Sequence, residues 1–119
     1  MTVEETIYLA LSTWHGLAGL EIRPFVAGPG DTAPYIVYQQ IGGQRVKSLA
    51  GDSGLANPHF QIDVYAEDLV TAASYKKPIR EAMLACEPLG AVHIDEGSGY
   101  DTETKLIRAR QDFSIWFYD

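Results

Sequence analysis

Apolar residues recur along the chain at two spacings, one typical of helices and one typical of strands. Residues 3–15 place apolar side chains three and four positions apart, which predicts a helix with one apolar face. Thr2 and Glu5, three positions later, match a capping box at its start. We therefore expect the chain to begin with a helix that packs on a sheet.

A second helical pattern runs from Glu67 to about Cys86 and contains Pro78. A proline inside a helix removes a backbone hydrogen bond and clashes with the preceding turn. The pattern therefore predicts either a kinked helix or two shorter helices that meet at Lys77.

Alternation of apolar and polar residues predicts five strands. Their ranges are 20–26, 35–41, 57–66, 90–96 and 105–118. At about 3.3 Å per residue the last would span roughly 45 Å, well beyond the usual strand of about 5–6 residues. Gln111 also falls on its apolar face. We therefore expect a bulge near Gln111 and Asp112, which would shorten the strand and turn the amide away from the core.

These elements predict an α+β fold. We expect a single domain over residues 1–119, with a mostly antiparallel sheet of four to five strands and two helices packed on one face. The covered face would collect Val37, Ile41, Phe60, Ile62, Val64, Ile107, Phe113, Ile115 and Phe117. The uncovered face would collect Ile36, Tyr38, Tyr65, Trp116 and Tyr118 beside Gln61, Asp63, Arg108 and Arg110. Aromatic and arginine side chains on an uncovered sheet face are typical of an interface, and scattered surface aromatics are the alternative.

Residues 42–56 separate two predicted strands and contain Arg45, Lys47, Asp52 and four glycines. Fifteen residues are too many for a hairpin connection of about 2–5 residues. The segment is therefore either a solvated loop or a protruding arm that becomes ordered against a partner.

Composition narrows the class of protein. The 119 residues are 46% hydrophobic and 21% charged, as expected for a soluble globular domain. Nine basic against sixteen acidic residues give a net charge of −7, which disfavours contact with phosphate backbones. The single cysteine, Cys86, cannot form an internal disulfide, which is compatible with a reducing cytosol.

The sequence gives no sign of membrane targeting. No apolar run approaches the roughly 20 residues that a membrane-spanning helix needs. The N-terminal sequence MTVEE is acidic, whereas a secretory signal begins with basic residues before an apolar run. We therefore expect neither a membrane contact nor a signal peptide.

Candidate chemistry is sparse. His93, Asp95 and Glu96 form the best cluster of metal-ligand types, but strand alternation puts Glu96 on the face opposite His93 and Asp95. The glycines of residues 27–34 lack the spacing and the following helix of a phosphate-binding loop. We therefore expect no catalytic site, no metal and no cofactor.

Three stretches carry a family resemblance. They read PYIVYQQIGG at 34–43, FQIDVYAEDLVTA at 60–72 and TKLIRARQDFSIWFYD at 104–119. Their order also matches, with a helix first and a final strand that contains DFSxW. On these motifs the chain resembles the phage tail-completion family, the tail-terminator or tail-to-head joining proteins of long-tailed phages and prophages. The resemblance covers nearly the whole chain, and its motifs are structural.

The resemblance implies a structural subunit that acts in a ring of copies, which is a hexamer in the assembled tail. Before assembly, the free subunit could be a monomer in solution. Such a ring caps the tail tube at its head-proximal end and contacts the tail tube protein and a neck or connector protein. DNA passes through it without specific nucleic-acid binding, which suits an acidic chain. The expected location is the virion tail, after assembly in the bacterial host cytoplasm.

By analogy, nine residues are candidates for subunit or partner contacts. They are Arg45, Lys47 and Asp52 in residues 42–56, and Tyr38, Tyr65, Arg108, Arg110, Trp116 and Tyr118 on the uncovered face.

Three other interpretations stay open. The chain could be another neck, connector or minor tail protein of the same assembly. It could be a hydrolase that uses His93 and Asp95, although the sequence offers no nucleophile paired with a base and an orienting group. It could also be a monomeric module that binds a small molecule between the helices and the sheet.

Overall fold

A computed structural model of the chain describes residues 1–48 and 51–118. The helices are α1 (Val3–Ser12), α2 (Leu69–Ser74) and α3 (Lys76–Ala85), with 3₁₀ turns at His15–Leu17 and Glu87–Leu89. The strands are β1 (Glu21–Pro24), β2 (Tyr35–Ser48), β3 (Gly51–Ala66), β4 (Val92–Asp101), β5 (Leu106–Ser114) and β6 (Phe117–Tyr118).

The six strands of the described residues form one sheet in the order β1-β2-β3-β5-β4, with β6 paired to β3. β1 runs parallel to β2, and the other pairings are antiparallel. The helices pack on one face, where their buried residues join the core. The predicted α+β fold is confirmed. The sheet has six strands because the C-terminal stretch supplies two, β5 and β6.

The start of α1 follows the predicted capping box. The Glu5 backbone N–H donates to Thr2 Oγ1 at 3.1 Å, and the Thr2 backbone N–H donates to Glu5 Oε1 at 2.9 Å. The bonds that Thr2 donates to the Glu5 carboxyl, from its backbone N–H and from its hydroxyl, lower the pKa of that carboxyl. Ile7 and Leu11 are fully buried, so the predicted apolar face of the helix packs against the core.

The second helical segment is divided, as one of the two alternatives predicted. Asp68 caps α2 through a 2.8 Å bond from the Thr71 N–H, and the helix ends at Ser74. The next helix, α3, begins at Lys76, close to the predicted Lys77. Pro78 then lies in the first turn of α3, where a missing N–H costs no helical hydrogen bond.

No helix within the described residues is both long enough and apolar enough to cross a membrane.

The predicted faces hold for β3 but not for β2. Phe60, Ile62 and Val64 are buried under the helices as expected. Ile36 pairs with Val64 and Tyr38 with Ile62, so these two β2 residues also belong to the covered face. The prediction for β2 was therefore wrong by one position. The run YIVY is apolar throughout, so only its pairing with β3 sets which residues face the helices.

Further along β2, Ile41 was expected in the core but is half exposed. It lies at a register shift between Gln40 and Gly42, which takes it out of the alternating pattern.

The bulge expected near Gln111 is absent. The β3–β5 register is continuous from Ala66–Ile107 to His59–Ser114. Gln111 is buried on the covered face, and its Nε2 donates to the Lys76 carbonyl at the start of α3, at 2.8 Å. The long C-terminal stretch is instead interrupted after Ser114, before β6. The buried amide nitrogen of Gln111 therefore has a backbone acceptor from the divided helix, while Gln111 Oε1 has no hydrogen-bond partner among the described residues.

A bulge does occur in β4, between His93 and Asp95. It sets His93 opposite Phe113 on the covered side and Asp95 opposite Asp112 on the other. The prediction that His93 and Asp95 share a face was wrong for this reason. Glu96 lies with His93, and its Oε1 is 3.5 Å from His93 Nε2. This strand also continues to Asp101, beyond the predicted end at residue 96.

Candidate assembly surfaces

Residues 42–48 and 51–56 form the outer part of a long β2–β3 hairpin, which we call the arm. Its pairing runs from Gly42–His59 to Ser48–Gly51, with a second register shift between Arg45 and Lys47. The 14 residues of β2 would span about 46 Å, comparable with the 50 Å long axis of the molecule. Of the two alternatives from the sequence, the described residues therefore match an arm.

Gly43 fixes the base of the arm. Its φ is +135°, a region that side chains rarely adopt. A Cβ at this position would lie 2.5 Å from Pro58 Cα and 2.7 Å from the Asn57 carbonyl oxygen. The close approach of the two strands here therefore requires glycine.

The three candidate contact residues of the arm lie along its two strands. Arg45 is exposed and pairs with Ala56 in the ladder. Lys47 is exposed and pairs with Asp52 across the hairpin. Beside the base of the arm lies a groove of about 360 Å³ next to the start of α1. It is lined by Thr2, Val3, Glu4, Gln40, Gly43, Gln44, Arg45, Ala56, Pro58 and Phe117.

Trp116 and Tyr118 lie at the end of the sheet that carries the arm. Tyr118 pairs with Leu55 of the arm and is 73% exposed. Trp116 is 43% exposed, and its backbone N–H donates to the Leu89 carbonyl at 2.9 Å. Tyr65 lies ten residues from Leu55 on the same strand, roughly 33 Å away at strand spacing. The structure therefore does not bring Trp116 and Tyr118 together with Tyr65.

The sheet surface opposite the helices, which we call the open face, is the second surface. It carries residues that alternate with the core positions: Tyr35, Val37, Gln61, Asp63, Tyr65, Asp95, Arg108, Arg110 and Asp112. The rings of Tyr35 and Tyr65 stack with centroids 5.2 Å apart. Tyr38 is not part of this surface. It is 7% exposed and packs in the core on the other side of the sheet, so that prediction was wrong.

Arg110 is bound within the open face. Its Nη1 lies 2.6 Å from Asp112 Oδ2 and 3.5 Å from Asp95 Oδ2. The guanidinium lies over Gly97, where a Cβ would be 2.8 Å from Nη2. Gly99 pairs with Arg108 in the ladder, but a Cβ there would meet no atom within 4 Å. Gly97 thus leaves room for the Arg110 side chain, and Gly99 is not needed for that of Arg108.

Asp63 is the most enclosed charged residue of the open face, with 2% of its surface exposed. Its Oδ2 accepts a 2.8 Å bond from Gln61 Nε2. Burial raises the pKa of the Asp63 carboxyl, opposed by the Gln61 bond and by the charges of Arg108 and Arg110. The sequence analysis placed Asp63 on this face but did not include it among the candidate functional residues. What could have identified it is its position opposite Arg110, where an acidic and a basic residue pair across neighbouring strands.

The candidate metal ligands from the sequence, His93, Asp95 and Glu96, do not lie together on one face of the sheet. The β4 bulge separates His93 from Asp95. The His93 ring packs edge-on against the Phe113 ring, with the two ring centroids 5.4 Å apart. Within residues 1–48 and 51–118 there is no group of three or more acidic, histidine or cysteine residues able to hold a metal ion.

Comparison with known families decides the class of protein. The model of the family described as "Tail completion protein gp17" matches residues 8–118. The chain belongs to this family. The tail-completion resemblance expected from the sequence is thus confirmed, and the protein has a structural role in a phage tail.

Solved structures support the fold of this tail-completion protein. A chain from the structure described as "Virion of native gene transfer agent (GTA) particle" superposes with a TM-score of 0.74 at 14% sequence identity. The match covers 96% of this chain and 92% of that chain. At this identity the likeness shows a shared fold. A search of curated protein sequences finds no match.

Proposed function

We propose that this tail-completion protein forms a ring at the head-proximal end of the tail, where it caps the tail tube and joins the tail to the head. The observation that carries the proposal is the family match over residues 8–118 of a chain whose arm extends far beyond its core. The ring is a hexamer of this chain, and its neighbours are the tail tube protein and a neck or connector protein.

The arm supports contacts outside the subunit. β1 pairs with β2 only as far as Tyr38, so the outer edge of β2 from residue 39 to residue 48 has no strand beside it among the described residues. Unpaired strand edges favour pairing with another chain. An edge at one end of an elongated subunit suits a head-to-tail contact, and such contacts form a ring when the rotation between successive copies closes.

The charge distribution also favours a contact at the end of the molecule that carries the arm. The arm has two basic residues and one acidic residue in a chain of net charge −7. Arg45 and Lys47 therefore present local positive charge that an acidic surface of a neighbouring copy would complement. Tyr118 and Trp116 add exposed aromatic surface nearby, and aromatic residues are enriched at interfaces.

We assign the main contact to the arm with Asp52, Trp116 and Tyr118, and a secondary contact to the margin of the open face at Tyr65 and Arg108. The acidic net charge suits a ring through which DNA passes without binding. We further propose that the protein acts without catalysis or a cofactor, and that it joins the tail in the cytoplasm of the bacterial host.

The test is electron microscopy of tails produced with and without this protein. Without it we expect overlong tails or tails that do not join heads, and we expect the wild-type gene supplied in trans to restore length and joining. Tails of normal length that join heads in its absence would contradict the proposal. Tails of normal length that fail to join heads would instead assign the protein to the neck.

A further inference from the structure

Two carboxyl groups are buried on the open face even though no helix covers it. Asp63 is 2% exposed and Asp112 is 8% exposed. The Oδ1 atom of each is enclosed and has no hydrogen-bond partner among the described residues. A buried carboxylate oxygen without a partner is unfavourable, so this pair requires an explanation.

The other oxygen of each carboxyl is satisfied. Asp63 Oδ2 accepts from Gln61 Nε2 at 2.8 Å, and Asp112 Oδ2 lies 2.6 Å from Arg110 Nη1. Both unsatisfied atoms are therefore Oδ1 atoms. In the ladder Asp112 pairs with Gln61 and Asp63 pairs with Arg110, which makes the two aspartates diagonal neighbours on one face. At such a diagonal the Cβ atoms lie somewhat less than about 7–8 Å apart, and Asp112 is near enough for its charge to act on the Asp63 carboxyl.

Charged and titratable groups face the pair from each neighbouring strand. β5 contributes Arg108 and Arg110, and β4 contributes Asp95, with Asp101 near Tyr65. β3 contributes Tyr65, while β2 places Val37 opposite Asp63 and Tyr35 opposite Tyr65. A neutral Asp63 adds no further negative charge to a cluster that already has three acidic residues, Asp95, Asp101 and Asp112, beside two arginines.

Other ligands fit the two oxygens poorly. Each Oδ1 is enclosed, so a basic side chain from another subunit could not reach it without rearrangement. A divalent cation takes several oxygen ligands, and no cluster of three acidic, histidine or cysteine residues exists among the described residues. A proton needs only the two oxygens.

We propose that Asp63 and Asp112 form a proton-binding site, in which the protonated Asp63 carboxyl donates a hydrogen bond to Asp112 Oδ1. One proton satisfies both unsatisfied atoms, because a neutral carboxyl has an O–H donor and a carboxylate accepts it. The direction of the Asp63 pKa, raised chiefly by burial, agrees with this assignment. Arg110 Nη1 contacts Asp112 Oδ2 at 2.6 Å, so the proton is assigned to Asp63.

The site makes stability depend on pH in a defined direction. A native carboxyl with a raised pKa holds its proton more tightly than the unfolded chain does. The resulting stabilisation is complete below the ordinary aspartate pKa, and it is lost as the pH rises through the raised native pKa. Asp63→Asn carries a permanent amide donor in place of the proton, so the variant should not lose this stabilisation.

The experiment combines carboxyl ¹³C NMR of the full wild-type chain with thermal melting of variants between about pH 4 and about pH 8. We expect the Asp63 carboxyl to titrate above the ordinary aspartate range. We expect Asp63→Asn to melt higher than the wild type at high pH, with the difference shrinking towards low pH. Asp95→Asn, an exposed carboxyl on the same face, is the control and should follow the wild-type pH profile.

Two results would overturn the proposal. One is an Asp63 carboxyl that titrates at or below the ordinary aspartate range, because the site would then be doubly ionised at neutral pH. The other is a saturable shift of both carboxyl signals on titration with Mg²⁺ or Ca²⁺, because the ligand would then be a metal ion. The wild-type NMR measurements decide the matter even if Asp63→Asn fails to fold.

Discussion

The arm and the open face are both predicted contact surfaces, the arm because of its basic residues and the open face because of its aromatic and arginine residues. On the open face, Arg110 is bound by Asp112 and Asp95 of the same subunit. On the arm, the outer edge of β2 beyond Tyr38 has no neighbouring strand among the described residues. The comparison teaches that residue type alone does not mark a contact surface. Arg110 of the open face is bound within its own subunit, whereas the outer edge of the arm has no neighbouring strand among the described residues and can pair with a partner.

The largest effect should follow shortening of the arm. Replacing residues 46–55 by Asn-Gly joins Arg45 to Ala56, which already pair in the ladder, by a turn suited to hairpins. The core lies outside this segment, so we expect a cooperative melting transition and unchanged burial of Phe117, which pairs with Ala56. Tail capping should be lost, as scored by tail lengths in electron micrographs.

An arm-shortened variant that restores tail length as well as the wild type would show that the contact lies elsewhere. The open face would then become the leading candidate.

The base of the arm should be the next most sensitive point. Gly43→Ala introduces a Cβ into backbone atoms of Asn57 and Pro58 at a positive φ, so we expect a loss of roughly 3 kcal/mol in unfolding free energy. Gly42→Ala is the matched control, because a Cβ there meets no atom within 4 Å. Chemical denaturation measures both. Equal losses in the two variants would refute the close-approach explanation.

The ion pair of the open face should have a smaller effect on stability. Arg110→Gln leaves the Asp112 carboxylate buried without its 2.6 Å partner, so we expect a loss of about 2 kcal/mol. The control is Lys76→Gln, which removes the more exposed pair with Glu96 and should leave the melting temperature nearly unchanged. Arg110→Gln should still cap tails in the same microscopy assay. Loss of capping with intact folding would move the contact to the open face.

The smallest effect concerns the glycines of β4. Gly97→Ala places a Cβ 2.8 Å from Arg110 Nη2, and the flexible side chain can move away at a cost of about 1 kcal/mol. Gly99→Ala meets nothing within 4 Å, so we expect little change or a slight stabilisation. Thermal melting of the two variants compares them directly. A Gly99→Ala loss as large as that of Gly97→Ala would indicate a general need for glycine in this strand.

Much of the fold follows from local pattern. The alternation of Phe60, Ile62 and Val64 identified the central strand, and Thr2 with Glu5 identified the start of α1. Such features depend on neighbouring residues in the sequence, so they are visible without the fold. Pro78 similarly indicated that the second helical segment is divided.

The remaining features depend on partners distant in sequence. The face of Tyr38 is set by its pairing with Ile62, because the YIVY run has no internal alternation. Gln111 Nε2 donates to the Lys76 carbonyl, a contact that no local pattern reveals. The Asp63–Asp112 pair required the β3–β5 register before its two unsatisfied oxygens could be recognised.

The most direct test of the proposed role is an electron cryomicroscopy reconstruction of the head-proximal end of an assembled tail. We predict a closed ring of this chain on the last layer of the tail tube, with the arm of each copy in contact with a neighbouring copy or with the tube. A tail end without this chain, or a ring in which every arm extends into solvent while the open faces form the contacts, would contradict the account.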